Sequence, residues 1–411
     1  MHLVVDLKIS QTELANLLPD ELAEDLESIF AHISWSVICE PGDGFAGMLV
    51  GVLGAKVALA NEINNISPEV VKKQLLDGGI DLQDLSKHGV FEIALLTSRE
   101  RWRPRLSLEL VRTAIFAIKR MKGFVLTPVH KNWPAQLLDL GFHAPMALWV
   151  RGTEEALAQL ENSIAIVGCR GSSAYGEYAT QNIVESLVKK EITVISGGAY
   201  GIDGAAHRST LAMKGNTVAI MAGGVDKFYP SGHADLLKRI TQTGAVISEL
   251  PPGSVPTKWR FLQRNRLIAA LSQATLVVEA NWRSGSLNTV SHAERLERPV
   301  YAVPGPITSP KSAGVNKLIA DRRADLVIDG QDFLERLGMQ SREINPATLA
   351  GLGAIETRVL DALGFNSLIL SEICAEAGLT RDEAKFGLGL LEIDGLVLRR
   401  DNAWTRSQTT V

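Results

Sequence analysis

Cysteine is scarce in this chain: Cys39, Cys169 and Cys374 are the only three among 411 residues, with no CxxC spacing and no Cys/His ligand pattern. That excludes a disulfide framework and a structural zinc, and it suits a reducing, cytoplasmic setting. Long apolar runs are also missing. The longest, Phe45 to Ala55, stops at Lys56, short of the roughly 20 residues needed to cross a bilayer, so no membrane partner is expected. The opening residues, MHLVVDLKIS, have no basic stretch leading into an apolar core, and no secretory signal is expected there. Nor is there a basic surplus: 42 lysines and arginines face 46 aspartates and glutamates, a formal net charge of -4. A surface that binds polyanions everywhere is thereby excluded, and any such site must be a local basic patch.

The composition, 46% hydrophobic and 21% charged, is that of a folded globular protein long enough for two or three domains. Residues 1–125 read as a helical domain, with apolar residues at helical spacing over Thr12–His32, Pro68–Leu76 and Leu106–Lys122. The alternating Arg99, Arg101, Arg103 and Arg105 read as a solvated charged face. Residues 126–338 change texture after a connector broken by Pro134 and Pro145, which ends at Leu148-Trp149-Val150. From Ile164, short apolar runs (Ile164–Val167, Thr193–Ile195, Val218–Met221, Ala245–Ile247, Thr275–Val278, Val300–Val303, Leu326–Ile328) alternate with helix-length segments. This is the pattern of βαβ units, and it predicts an α/β fold with a Rossmann-like, doubly wound, mostly parallel sheet. Residues 339–353 read as a linker. Residues 354–411 read as a winged helix: helical segments Glu356–Leu363, Leu370–Ala377 and Thr380–Ile393, then a ribbon of Leu396–Arg400 and Ala403–Thr405. Thr380 and Glu383 fit a capping box at the start of the third helix.

In an open parallel sheet, ligands bind beyond the carboxyl ends of the strands, so the loops there are where chemistry is expected. The first strand leads into Gly168-Cys169-Arg170, where backbone N–H groups and a guanidinium could meet a phosphate, or Arg170 could pair with a carboxylate. The second leads into Ser196-Gly197-Gly198, followed by a helix carrying Asp203 and His207 on one face. That pair reads chiefly as structural, with an acid–base pair as the alternative. The fourth leads into Lys258-Trp259-Arg260-Phe261-Leu262-Gln263-Arg264-Asn265-Arg266, with four cations, two aromatics and no acid in nine residues. Cations hold a polynucleotide backbone and aromatic faces stack on unpaired bases, so this segment points to single-stranded nucleic acid. The loop Ser284–Thr289 after the fifth strand and the Val303-Pro304-Gly305-Pro306 turn after the sixth also suit an anion-lined crevice.

The ordered motifs VGCRGSSAYG, SGGAYGIDGAAH, AGGVDKFYP, ISELPPG, RFLQRNRLIAALS, VVEANWRSGSLNT and VPGPITSPKSAGVNKLI resemble the core of the DNA-processing protein A (DprA/Smf) family over about Trp133–Gly330. The resemblance implies binding of single-stranded DNA, a homodimer formed through the Rossmann-like domain, and loading of RecA recombinase during natural transformation. It implies no catalysis, cofactor or metal. The strand would be held by Arg170, Lys258, Phe261, Arg264 and Arg266, with Asn265 in the same segment, and with Gly168, Ser196 and Gly197 as backbone or hydroxyl donors. Departures from the family pattern are Cys169, Leu262 in place of a common proline, and a missing glycine in 320–324; they bear on loop shape. The alternative is a nucleotide-processing enzyme of the phosphoribohydrolase type, using Glu249, Glu279 or the Asp203/His207 pair, although SGSLNT lacks the double-glycine loop with a following glutamate that those enzymes use. The third helix of the winged module, Thr380–Asp394, has a net charge of -2 counted from Arg381, Lys385, Asp382, Glu383, Glu392 and Asp394. That charge predicts contact with protein rather than with a duplex major groove.

Overall fold

The computed structural model describes residues 25–81, 89–339, 353–364, 366–393, 396–400 and 403–407. They fall into two compact units, Met1–Met339 and Gln340–Val411. The expected helical start before Asp25, most of the linker (340–352) and Asp394 lie outside the described residues.

The first unit opens with α1 (Leu26–Ile38), α2 (Gly44–Leu53), α3 (Ala55–Ile63), α4 (Pro68–Asp77), α5 (Val90–Trp102) and α6 (Leu108–Arg120). Pro68 starts α4, where a missing N–H costs nothing. Trp35, Leu49, Phe91 and Trp102 fill the space between these helices, with the Trp35 and Trp102 rings edge to face at 5.2 Å. The alternating arginines form a solvated face only in part, since Arg101 and Arg103 are exposed but Arg99 and Arg105 are engaged. Arg99 is buried and grips Glu62 with two bonds of 2.8 and 3.0 Å, Arg105 reaches Glu40 at 2.6 Å, and Arg103 donates to Asn65 at 2.8 Å. The segment bends through a 3-10 turn at Arg103–Arg105, so its arginines do not share one side.

Beyond them runs a nine-stranded sheet in the order β1-β2-β6-β5-β4-β3-β7-β8-β9. Its strands are β1 (Phe124–Leu126), β2 (Leu148–Gly152), β3 (Ser163–Val167), β4 (Thr193–Ser196), β5 (Thr217–Ile220), β6 (Ala245–Ser248), β7 (Ala274–Val277), β8 (Val300–Ala302) and β9 (Asp325–Leu326). Pairing is parallel from β6 through β3 to β9, and antiparallel only where β2 joins β6 and β1 joins β2. The period-2 pattern of β3 sends Ile164 and Ile166 to one face and Ala165 and Val167 to the other. The Ile164 face is covered by α8 (Ala174–Lys189), α9 (Ile202–Ala212) and α14 (Gly330–Arg336), which follow a short α7 (Glu154–Ala158) and flank α10 (Ala234–Thr243) in the chain. The Val167 face is covered by α11 (Lys258–Leu271), α12 (Ser286–Arg295) and α13 (Ala313–Ala320).

The two strands of this sheet that the sequence pattern did not signal, β1 and β2, lie at the antiparallel edge. Trp149 of β2 is fully buried and donates to Ser36 of α1 at 3.3 Å. Because α1 and α6 pack on this part of the sheet, the boundary expected near residue 125 falls inside β1, and the N-terminal helices share one unit with the sheet. Among the described residues no single helix is long and apolar enough to cross a membrane.

The second unit packs α15 (Ala354–Leu363), α16 (Leu370–Ala377) and α17 (Arg381–Ile393) against an antiparallel sheet ordered β10 (Leu368–Ile369), β12 (Ala403–Arg406), β11 (Val397–Arg400). The Thr380 N–H and hydroxyl both donate to Glu383 Oε2, at 2.8 and 2.7 Å, and the Glu383 N–H returns to the Thr380 hydroxyl at 3.3 Å. The reciprocal cap expected from the sequence is in place.

Candidate nucleic-acid interface

From β3 the chain winds outward through β4 and β5 to β6, then returns to β7 on the other side of β3. The loops leaving β3 and β7 therefore diverge, and the sheet opens there into a cleft of about 1100 Å³. Gly168 and Arg170 line it from the β3 loop, and Arg283 and Ser284 line it from the β7 loop. The opposite wall is the first half of α11. Thr257 caps this helix by accepting the Arg260 N–H at 3.3 Å, and Leu267–Leu271 anchor its far end under the sheet. With the apolar half anchored, the polar half projects over the carboxyl ends of the strands.

Phe261 is the centre of that wall. The Arg170 guanidinium sits 5.1 Å from its ring centroid, the Arg264 guanidinium 5.7 Å, and the Tyr229 ring 5.7 Å away at 55°. Arg170, Lys258 and Arg283 are exposed and form no ion pair among the described residues. Arg264 lies at the cleft floor, donating to the carbonyls of Gly197 (2.7 Å) and Ile220 and, through Nε, to Asn265 Oδ1 at 3.1 Å. Burial pushes its pKa down to about 10, with Asp203 opposing the shift, so it stays cationic at neutral pH. Asn265 donates in turn to Gly285 O (3.3 Å) and Asn288 Oδ1 (3.2 Å), which ties α11 to the β7 loop.

Thus Gly168, Arg170, Lys258, Phe261, Arg264 and Asn265 converge on one cleft. Three expected residues do not present free groups to it. Arg266 is turned to the other side of α11, where it forms a buried two-point pair with Glu249 (2.6 and 2.8 Å) and donates to His143 O at 3.1 Å. Ser196 is fully buried, and its hydroxyl donates to Ile166 O at 2.6 Å. The Gly197 N–H donates to Asp203 Oδ2 at 3.2 Å, so it too serves the scaffold. Arg260 is likewise neutralised, by Glu40 at 2.8 Å.

Sequence reasoning missed Arg283, Lys311 and Tyr229, all of which line the cleft. Arg283 had a signal: it directly precedes the Ser284-Gly285-Ser286 loop of the strand that flanks the switch point. Lys311, which donates to Ser172 O at 3.1 Å, arrives from a distant loop with no local cue.

The acids of the enzyme reading are engaged elsewhere. Asp203 accepts the N–H groups of Gly197 and Ala199 (3.2 and 3.4 Å), and burial pushes its carboxyl up from the ordinary range. His207 shares a 2.8 Å bond with Thr217 Oγ1, and burial lowers its pKa to about 3. Glu249 belongs to Arg266, and Glu279 accepts from the Ser173 N–H at 2.9 Å and from its hydroxyl.

A doubly wound sheet with a cation-lined, aromatic crevice at its switch point defines a Rossmann-like α/β protein. Residues 124–338, just over half of the chain, match the family described as DNA recombination-mediator protein A, and the chain belongs to that family. It is 40% identical over 304 residues to a protein from Mycobacterium tuberculosis described as a DprA DNA processing protein, covering 70% of this chain and 78% of that one. Its identity to the DNA processing protein DprA of Bacillus subtilis is 32% over 257 residues, covering 62% of this chain and 84% of the relative. The X-ray structure of DNA processing protein A from Streptococcus pneumoniae superposes with a TM-score of 0.55 at 28% identity, covering 75% of this chain and 97% of that chain.

Proposed function

We propose that the switch-point cleft binds single-stranded DNA and that the protein is a recombination mediator, delivering the strand to a RecA-type recombinase without chemistry of its own. The observation that carries this reading is the Phe261 platform, flanked by Arg170 and Arg264 and lining the same cleft as Lys258. An aromatic face accepts any unpaired base, the cations around it hold phosphates, and stacking contributes about 1–3 kcal/mol per base. A duplex hides its base faces and could use only the cations. The DNA-processing names of the relatives and the mediator description of the family agree with this reading. Homodimerisation rests on the family likeness. In the winged-helix reading of the second unit, α17 exposes Phe386 and Ile393 beside Asp382, Glu383 and Glu392, a face suited to protein rather than to a phosphate backbone.

The test is fluorescence anisotropy with labelled oligo-dT of about 30 nucleotides, comparing wild type with Phe261→Ala. The wild type should bind oligo-dT in preference to duplex, and the variant should lose roughly 5- to 150-fold in affinity, equivalent to one stacked base, at unchanged melting temperature. Equal affinity of the wild type for duplex and single strand at moderate salt would refute the assignment. Release of free base from nucleoside monophosphates would replace it with the nucleotide-enzyme reading.

A further inference from the structure

The first βα turn of a Rossmann-like sheet ordinarily holds a nucleotide phosphate, because the helix that follows presents free N–H groups and the positive end of its dipole. Here the turn between β3 and α8 is already filled from within. Glu279, two residues beyond the end of β7, is 2% exposed. Its Oε2 accepts the N–H of Ser173, the N-cap of α8, at 2.9 Å, and its Oε1 accepts the Ser173 hydroxyl. That hydroxyl also caps α8 by accepting the Gly176 N–H at 3.1 Å. Gly176 provides the room: a Cβ there would lie 2.5 Å from the Glu279 carboxyl carbon. The backbone fixes the carboxylate as well, since Cys169 N–H donates to Glu279 O at 2.7 Å and Val278 N–H to Val167 O at 3.1 Å.

We propose that the Glu279 carboxylate is a built-in anion that closes this turn to free nucleotides and inorganic phosphate, restricting the cleft to ligands of strand length. The inference rests on the reading of the cleft as a single-strand site and specifies what that site rejects. A mononucleotide depends on its phosphate as its main charged handle. To use the turn it would have to displace a buried carboxylate from its two Ser173 donors, or place a second anion beside it. A strand needs neither, because its phosphates and bases spread across Arg170, Lys258, Phe261 and Arg283, which line the cleft, whereas Ser173 and Glu279 do not.

The test uses the full chain as wild type, Glu279→Gln and Glu279→Ala. Glutamine keeps the shape but removes the charge and turns an NH2 toward one donor; alanine vacates the turn. Thymidine 5′-monophosphate and inorganic phosphate are titrated directly, following the Ser173 amide by NMR, and the monophosphate is also used to displace labelled oligo-dT. In the wild type the Ser173 amide should not respond to millimolar amounts of either anion. Glu279→Ala, which opens the turn, should gain roughly tenfold or more in affinity for them, as expected for an anion at an open helix N-terminus, and Glu279→Gln, which lifts the charge but keeps the turn filled, should gain less. A merely structural role for Glu279 would lower stability without creating phosphate affinity. The proposal is overturned if the wild-type Ser173 amide titrates with phosphate, or if folded variants bind it no better than wild type. Should neither variant fold, the wild-type amide titration still decides. Failure of the wild type to bind oligo-dT would count against the function of the cleft, while the direct phosphate titrations would read the exclusion separately.

Discussion

Replacing Lys258 by glutamine and replacing Arg266 by methionine remove the same charge from the same helix, yet they should have opposite consequences. Lys258 is exposed at the cleft rim without an ion pair among the described residues, whereas Arg266 is buried against Glu249 at 2.6 Å. With Arg170, Lys258, Arg283 and Lys311 as the accessible cations of the cleft, about four phosphates are neutralised. The log–log salt dependence for a single strand should then have a slope of about −3, or roughly a 50-fold loss of affinity between 50 and 200 mM salt. Lys258→Gln should bring the slope to about −2 and that loss to roughly 20-fold, with no change in melting temperature. Arg266→Met should leave the slope unchanged but destabilise the fold by about 3–5 kcal/mol, because Glu249 stays buried without its counter-ion. Joint replacement of Glu249 by leucine and Arg266 by methionine should recover much of that loss, since an apolar pair needs no desolvated charge. Anisotropy with oligo-dT over a series of NaCl concentrations, paired with thermal melts, reads both quantities. A reduced salt slope in a stable Arg266→Met protein, or an unchanged slope in Lys258→Gln, would refute the division of the helix into a cleft side and a scaffold side.

Gly197→Ala should lower stability by about 1–3 kcal/mol and weaken oligo-dT binding, because the new methyl would lie 2.5–2.6 Å from the Arg264 guanidinium, which its carbonyl bonds hold in place. Urea denaturation reads the first effect, and an unchanged midpoint would show that Arg264 can move. Acidification should destabilise the first unit between about pH 6.5 and 4. Burial lowers the pKa of His32 from 6.5 to about 4 and that of His207 to about 3, so below pH 6.5 the unfolded chain takes up protons that the native one refuses. His32 alone accounts for about 3 kcal/mol lost across that window, while Asp203, with its carboxyl raised by burial, works in the opposite direction as pH falls. A urea midpoint independent of pH from 7 to 4.5 would contradict the buried, neutral state of these imidazoles.

The parallel strands were legible because each is a short run buried on both faces and separated from the next by a helix. The structure places β3 to β8 within about a residue of those runs. The antiparallel edge was not, because Phe124–Leu126 and Leu148–Gly152 stand outside the strand–helix alternation, and their strand character comes from pairing with each other and with β6. Arg99 and Arg105 were misread for a related reason. Their partners Glu62 and Glu40 lie 37 and 65 residues away in the chain, and no local pattern announces such pairs.

The α11 segment shows what a linear count of charges leaves out. Along the sequence it carries four cations of equal standing; on a helix turning about 100° per residue they do not point the same way. Thr257, Lys258, Phe261, Leu262, Arg264, Asn265 and Ile268 fall on one broad face, and these are the α11-side residues that line the cleft. Trp259, Gln263 and Arg266 fall on the other side, and Arg260 lies at its margin. Helical spacing alone is enough to separate Phe261 and Asn265 from Arg266. It does not reveal that Glu40 and Glu249 neutralise Arg260 and Arg266, nor that Arg283 and Lys311 arrive from other loops to restore the charge. The cleft therefore ends with about as many accessible cations as the sequence suggested, but only Lys258 comes from the linear patch; Arg170, Arg283 and Lys311 come from other loops. Substitutions chosen from the linear patch would divide between loss of binding and loss of folding.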